Sequence, residues 1–204
     1  MNTVTIKEQG LEAQEEHLYR VMSGERFLNM EGLANEVPFF IYAYPPEQAI
    51  HVESGRNRLT RRLKADGIGV TEINLYEMSL ELLSQTRALD RILDSEESLD
   101  KGALLEVLQN LLDPQNRLAP AISEELNDDD SQIIFITGVG EVFPFIRSHN
   151  VLNNLQSVIK DKPMLMYFPG SYTQSETLGS ALVLFNRLKD DQYYRAKDIL
   201  EQEP

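Results

Sequence analysis

Three groups of residues in this chain have types and spacings that could do chemistry. The first is the run from Gln132 to Pro144, in which the apolar stretch Ile133–Thr137 leads into Gly138-Val139-Gly140. A glycine turn leaving a buried strand is a common phosphate site, because free backbone N–H groups there point at the anion. A P-loop also needs Lys followed by Ser or Thr, to neutralise the phosphate and hold magnesium. The dinucleotide fingerprint instead needs a third glycine where the helix starts. Here Glu141 stands at the mouth and Phe143 takes the place of that glycine. Thr137, Gly138 and Gly140 therefore read as a tight turn required for packing a strand onto a helix. Binding of a nucleotide or another phosphate at Gly138–Gly140, without hydrolysis, is the alternative.

The second group is Arg56, Arg58, Arg61, Arg62 and Lys64, the one concentration of positive charge in the sequence. On a helix Arg58, Arg61 and Arg62 share one side and Leu59 and Leu63 another. The plain reading is a solvated face that relieves global negative charge; recognition of an acidic protein patch comes next, then phosphate contact. The third group is a set of aromatic residues near turns, among them Tyr42, Tyr44, Phe143, Tyr167, Tyr172, Tyr193 and Tyr194. Most belong to core or rim packing, but exposed Tyr beside Arg makes interface anchors.

Other chemistries find no footing. His17, His51 and His149 are far apart in sequence, with no ligand-like spacing to another His or a carboxylate, so no metal site is expected. Asp128-Asp129-Asp130 does not follow an EF-hand pattern. There is no Gly-x-Ser-x-Gly elbow, and the adjacent Ser148 and His149 point apart on a helix. Zero cysteines exclude disulfides, thiolate metal sites and a cysteine nucleophile together.

The elements that must position these residues follow from apolar periodicity. Strands are expected at Phe39–Tyr44, Val70–Leu75, Ile133–Thr137 and Met164–Phe168, the first stopping at Pro45-Pro46 and the fourth at Pro169-Gly170. Ala181–Phe185 is a short fifth strand. Residues 1–37 form a polar helical arm carrying Leu11, Leu18, Val21 and Met22, and a polar helix covers about 47–65. Met78, Leu82, Leu89 and Leu93 make one helical stripe; Leu104, Leu108 and Leu111 make another, ended by Pro114. Residues 113–131 read as a solvated acidic loop. A helix after Pro144 carries Phe145, Leu152, Leu155 and Ile159, and Tyr193–Lys197 opens a final one. Alternating strands and helices imply an α/β domain: a three-layer sandwich with a mostly parallel sheet of four or five strands, Rossmann-like or a degenerate P-loop fold without its lysine motif. Strand order 2-1-3-4 is the economical arrangement under right-handed crossovers. Any site should sit at the carboxyl ends of the strands.

At 204 residues the chain suits a single domain. A net charge of −14 disfavours direct nucleic-acid or anionic-membrane binding by the isolated chain. No apolar run is long enough to span a bilayer and no secretory signal is visible, so a cytoplasmic protein is expected.

Several strings together resemble one family. Phe40-Ile41-Tyr42-Ala43-Tyr44-Pro45-Pro46, the run from Thr137 through Pro144 to His149, and Tyr167-Phe168-Pro169-Gly170-Ser171-Tyr172 are similar to the BrxB family of BREX (bacteriophage exclusion) systems. Leu184–Leu188 and Tyr193-Tyr194-Arg195-Ala196 resemble its C-terminal signature. The resemblance covers the chain from about residue 25. It implies an accessory, non-enzymatic component of bacterial anti-phage defence, encoded beside a methyltransferase and an ATPase, with the phosphatase-like PglZ as direct partner. The family supplies no catalytic residues to carry over and no cofactor. An adaptor of this kind would use, as its contact set, Arg56, Arg58, Arg61, Arg62, Arg147, His149, Tyr172, Tyr193, Tyr194 and Arg195, with Pro169 and Gly170 shaping the turns at the strand ends.

Overall fold

The computed structural model describes residues 5–31, 37–95, 98, 100–175, 179–190 and 196–204. Its centre is a parallel sheet built from Phe39–Tyr44 (β1), Val70–Asn74 (β2), Ile133–Thr137 (β3), the first half of Met164–Ser175 (β4) and Lys197–Asp198 (β7). Side chains alternate across a strand, so each central strand feeds two cores. Phe39 and Ile41 join Ile134, Ile136, Met164 and Met166 on one face. Phe40 and Tyr42 join Ile133, Phe135, Leu165 and Tyr167 on the other. Both faces are covered, which explains why these strands read as nearly unbroken apolar runs.

Over the second face lie α1 (Leu11–Met22), the short α2 (Glu25–Leu28) and α3 (Ala49–Ala65), whose Leu59 and Leu63 are fully buried. Over the first lie α4 (Leu75–Gln85), α5 (Ala88–Ser95), α6 (Lys101–Leu111), α7 (Ala119–Leu126) and α8 (Ser148–Leu155). The result is the three-layer α/β sandwich expected. Among the described residues no helix is long and apolar enough to cross a membrane.

Strand order is β2-β3-β4-β1-β7, not 2-1-3-4. The chain leaves β1 through α3 on one face and jumps three places to β2. It then steps back through β3 and β4 with its helices on the opposite face. Reversing direction and face together preserves one crossover hand, so handedness alone could not choose between the orders. Burial chooses. The β2 sequence Val-Thr-Glu-Ile-Asn is half polar and only partly buried, which suits an edge; β3, β4 and β1 are the apolar ones.

Four further expectations are corrected. β4 does not stop at Pro169-Gly170. It runs to Ser175, trading its parallel neighbours for the antiparallel strand Gly179–Leu184 (β5), which pairs in turn with Leu188–Asp190 (β6). The pivot needs a glycine: a Cβ on Gly170 would lie 2.1 Å from the Val183 carbonyl oxygen. Residues 113–131 are not an open loop, because Pro114–Leu118 forms a wide helical turn leading into α7, and Leu118 and Ile122 are buried. Met78, Leu82, Leu89 and Leu93 belong to two helices, broken at Arg87 with φ +53°. In the tail, Lys197 lies in β7 beside β1 and not in a helix; residues 193–195 lie outside the described residues.

Candidate functional site

The carboxyl ends of the strands gather the turns as the sheet rule requires. Gly138 has φ +72°, and a Cβ there would sit 2.5 Å from Asn74 Oδ1, the atom that caps α4 by accepting from the N–H groups of Tyr76 and Glu77. A Cβ on Gly140 would lie 2.9 Å from the Phe185 ring and 3.0 Å from Pro169. Both glycines therefore have packing reasons: the ends of β2, β3, β4 and β5 meet at this turn. Thr137 is buried and its hydroxyl donates to Glu72 Oε1 at 2.9 Å. Asn74 Oδ1 packs beside Gly138 and the Phe185 ring beside Gly140.

The arginine helix is engaged within the chain. Arg58 donates to Glu15 through Nε (3.1 Å) and Nη2 (2.6 Å), and Arg62 reaches Glu16 at 2.9 Å while lying 3.7 Å over the Tyr19 ring. These pairs raise both guanidinium pKa values and lower that of Glu16. Arg56 grips Glu72 in a bidentate pair at 3.0 Å and stands 5.6 Å over the Tyr167 ring. Arg61 donates only to the Asn57 carbonyl one turn back and faces solvent. The helical spacing of these arginines was legible, but their partners were not. Glu15, Glu16 and Glu72 lie far away in sequence and looked like generic surface acid.

Phenols crowd the sheet surface under α1 and α3. Tyr42 donates to Gln14 Oε1 at 2.8 Å and packs edge-on against Tyr167 at 5.6 Å. Burial, then the charges of Tyr44 and Glu15, pushes the Tyr42 hydroxyl well above its ordinary pKa. Burial is also the main cause for Tyr44, pushed up to about 12 against the lowering effect of nearby Arg56, with Glu141 and Glu53 adding to the rise.

The remaining expected contact residues divide. Tyr172 is buried, and its hydroxyl donates to the Ala196 carbonyl at 2.7 Å, so it holds the β4–β5 hairpin to the C-terminal segment. Arg147 is exposed immediately before α8, and His149 is half-buried in its first turn. Tyr193, Tyr194 and Arg195 lie outside the described residues.

Sequence reasoning missed the turn joining β5 to β6. Phe185 and Asn186 adopt positive φ (+53° and +56°), and Phe185 and Leu188 are 36% and 41% exposed. Beside them lies a cleft of about 250 Å³ with Phe143, Phe168 and Leu184 among its walls and Arg147, Arg187 and Lys189 at its edges. Among the described residues no carboxylate lines it. The side chains of Arg147 and Arg187 have no ion-pair or hydrogen-bond partner among the described residues, although both backbones are hydrogen-bonded. Positive φ at a large aromatic was the one feature that periodicity had no means to announce.

With that geometry in place, comparison with known proteins is specific. The family model "BREX protein BrxB" matches residues 71–199. A BREX protein BrxB of Bacillus cereus (strain H3081.97) is 35% identical over 180 residues, covering 86% of this chain and 90% of the relative. Another from Escherichia coli O9:H4 (strain HS) is 27% identical over 172 residues, covering 84% and 82%. No solved structure matches the chain. Coverage on this scale, in the order of the strings that carried the resemblance, means that the chain belongs to the BrxB family of BREX proteins.

Proposed function

We propose that this protein is a non-enzymatic adaptor of a BREX system, docking onto another BREX protein, PglZ, through the carboxyl edge of its sheet. The observation that carries the reading is the exposed apolar surface of the β5–β6 turn. Phe185 and Leu188 lie there beside Pro46 and Glu47, and Ile50, 77% exposed, follows at the start of α3. Grouped apolar exposure of this kind marks protein contact more often than isolated surface residues do. The unpaired Arg147 and Arg187 next to it give the surface a charge opposite to the molecule's average, suited to an acidic patch on the partner. By contrast Arg56, Arg58 and Arg62 have their charges met inside the chain, Arg58 and Arg62 holding α3 to α1 and Arg56 holding it to β2, so they contribute to docking chiefly by fixing α3 in place.

The test is co-purification of the tagged chain from a host expressing the neighbouring BREX genes. PglZ should be retained by the wild type, and lost from Arg147→Glu with Arg187→Glu. An eluate without PglZ, or one in which a different BREX protein is held, would overturn the partner assignment. Capture undiminished by the double change would move the contact elsewhere.

A further inference from the structure

A cleft of about 790 Å³ lies between α1 and α3 above Tyr42 of β1 and Tyr167 of β4. These strands are neighbours whose continuations diverge: the chain after β1 turns into α3 on this face, and the chain after β4 turns into the antiparallel hairpin. In open parallel sheets such a divergence opens a crevice beside the carboxyl ends, and ligands bind there. The volume falls within the range of roughly 300–1,000 Å³ common for small-molecule sites.

The floor of this cleft contains an anomaly. Tyr167 is 2% exposed, yet its hydroxyl has no hydrogen-bond partner among the described residues. Native proteins almost always pair a buried hydroxyl, because an unpaired one bears the full cost of leaving water. Burial, countered only in part by Arg56, also raises this phenol well above its ordinary pKa, so it keeps its proton and acts as a donor. Glu72 occupies Arg56 through Nε and Nη2 only, leaving Nη1 able to donate. The walls are apolar, from Leu11 and Leu18 of α1 and Val52 and Leu59 of α3. The lining charges balance: Glu15 pairs with Arg58 and Glu16 with Arg62, Glu12 adds one negative charge, and Arg56, itself paired with Glu72, adds one positive charge. That balance offers nothing to a phosphate.

We propose that this cleft binds an uncharged small molecule whose carbonyl oxygen accepts the Tyr167 hydroxyl proton, with its flat apolar body lying between α1 and α3. The hydroxyl is shut off from solvent, and the Arg56 side chain over the ring is the group that turns aside to admit the carbonyl. The site is separate from the hairpin surface, and the proposal does not depend on which protein docks there.

The experiment is fluorine NMR on the full chain labelled with 3-fluorotyrosine, titrated with 2-pyridone, benzamide and uracil as neutral carbonyl probes. Toluene serves as the probe lacking an acceptor and pyrophosphate as the anion. At least one carbonyl probe should shift the Tyr167 resonance saturably, and pyrophosphate should not. In Tyr167→Phe, followed on Tyr42, the same probe should bind about tenfold more weakly, as for one lost hydrogen bond. Val52→Trp, which fills the cleft, should abolish binding. Without any probe, Tyr167→Phe should melt at a higher temperature than the wild type, because it removes an unpaired group without changing shape. No saturable shift with any carbonyl probe, equal affinity in Tyr167→Phe, toluene binding as tightly, or a lower melting temperature in Tyr167→Phe would each overturn the proposal.

Discussion

Asp129 shows how one carboxylate from an acidic run becomes a clamp. Its Oδ1 accepts from Thr71 Oγ1 at 2.7 Å and from the Ser131 N–H at 3.2 Å, and its Oδ2 accepts from Lys162 Nζ at 3.1 Å and from the Ser131 hydroxyl. Desolvation works to raise its pKa, but the hydrogen bonds from Ser131, Thr71 and Lys162 outweigh it and hold the group at about 2. The folded pKa lies below the ordinary carboxylate value near 4, so the clamp stabilises the fold fully above about pH 4. That contribution is lost as pH falls from about 4 to about 2. Asp129→Asn should therefore lower stability by about 1–2 kcal/mol at pH 7. In urea melts at stepped pH, the gap from wild type should close by pH 2. Its neighbours Asp128 and Asp130 are exposed. A run of three like residues cannot reveal which one faces inward; that depends on Thr71 and Lys162, 58 and 33 residues away in sequence.

At the scale of elements, α1 and α3 run side by side with Glu15 opposite Arg58 and Glu16 opposite Arg62. Gly55 lets them approach, since a Cβ there would come 3.1 Å from Glu15 Oε2. Exposed pairs contribute little singly, but reversing two at once sets like charges face to face. Arg58→Glu with Arg62→Glu should lower the midpoint of denaturant unfolding. Half of that loss should disappear in high salt, with PglZ capture retained. The hairpin is less forgiving. Gly170→Ala drives a methyl group into the Val183 carbonyl at the point where β4 changes partners, and should destabilise by more than about 2 kcal/mol. Hydrogen exchange should report that loss first in β5 and β6. The individual strands were legible because alternation and β-branched content are local. The passage of β4 through Pro169-Gly170 was not, since that pair stops a strand unless another one waits to receive it.

At the scale of the whole molecule, surface charge is sorted. Acid dominates the total at −14, while the cleft beside the β5–β6 turn collects Arg147, Arg187 and Lys189 and, among the described residues, no carboxylate. Arg147→Glu with Arg187→Glu should abolish retention of PglZ while shifting the melting temperature by less than 2 °C or so, since surface changes away from packed features move stability little. Retention by the wild type should weaken as ionic strength rises. Composition, the positions of the central strands β1 to β3 and the start of β4, the α/β class and the family strings were determined by the sequence, because each depends on neighbours within a few residues. Tertiary structure alone decided the order of the strands, the partners of Arg56, Arg58 and Arg62, the filling of the Gly138–Gly140 turn by Phe185, and the pairing of Phe185 with Arg147 on one surface. Each of these joins residues distant in the chain, and the energy of such a contact depends on where the packed strands and helices deliver both partners, which no local pattern encodes.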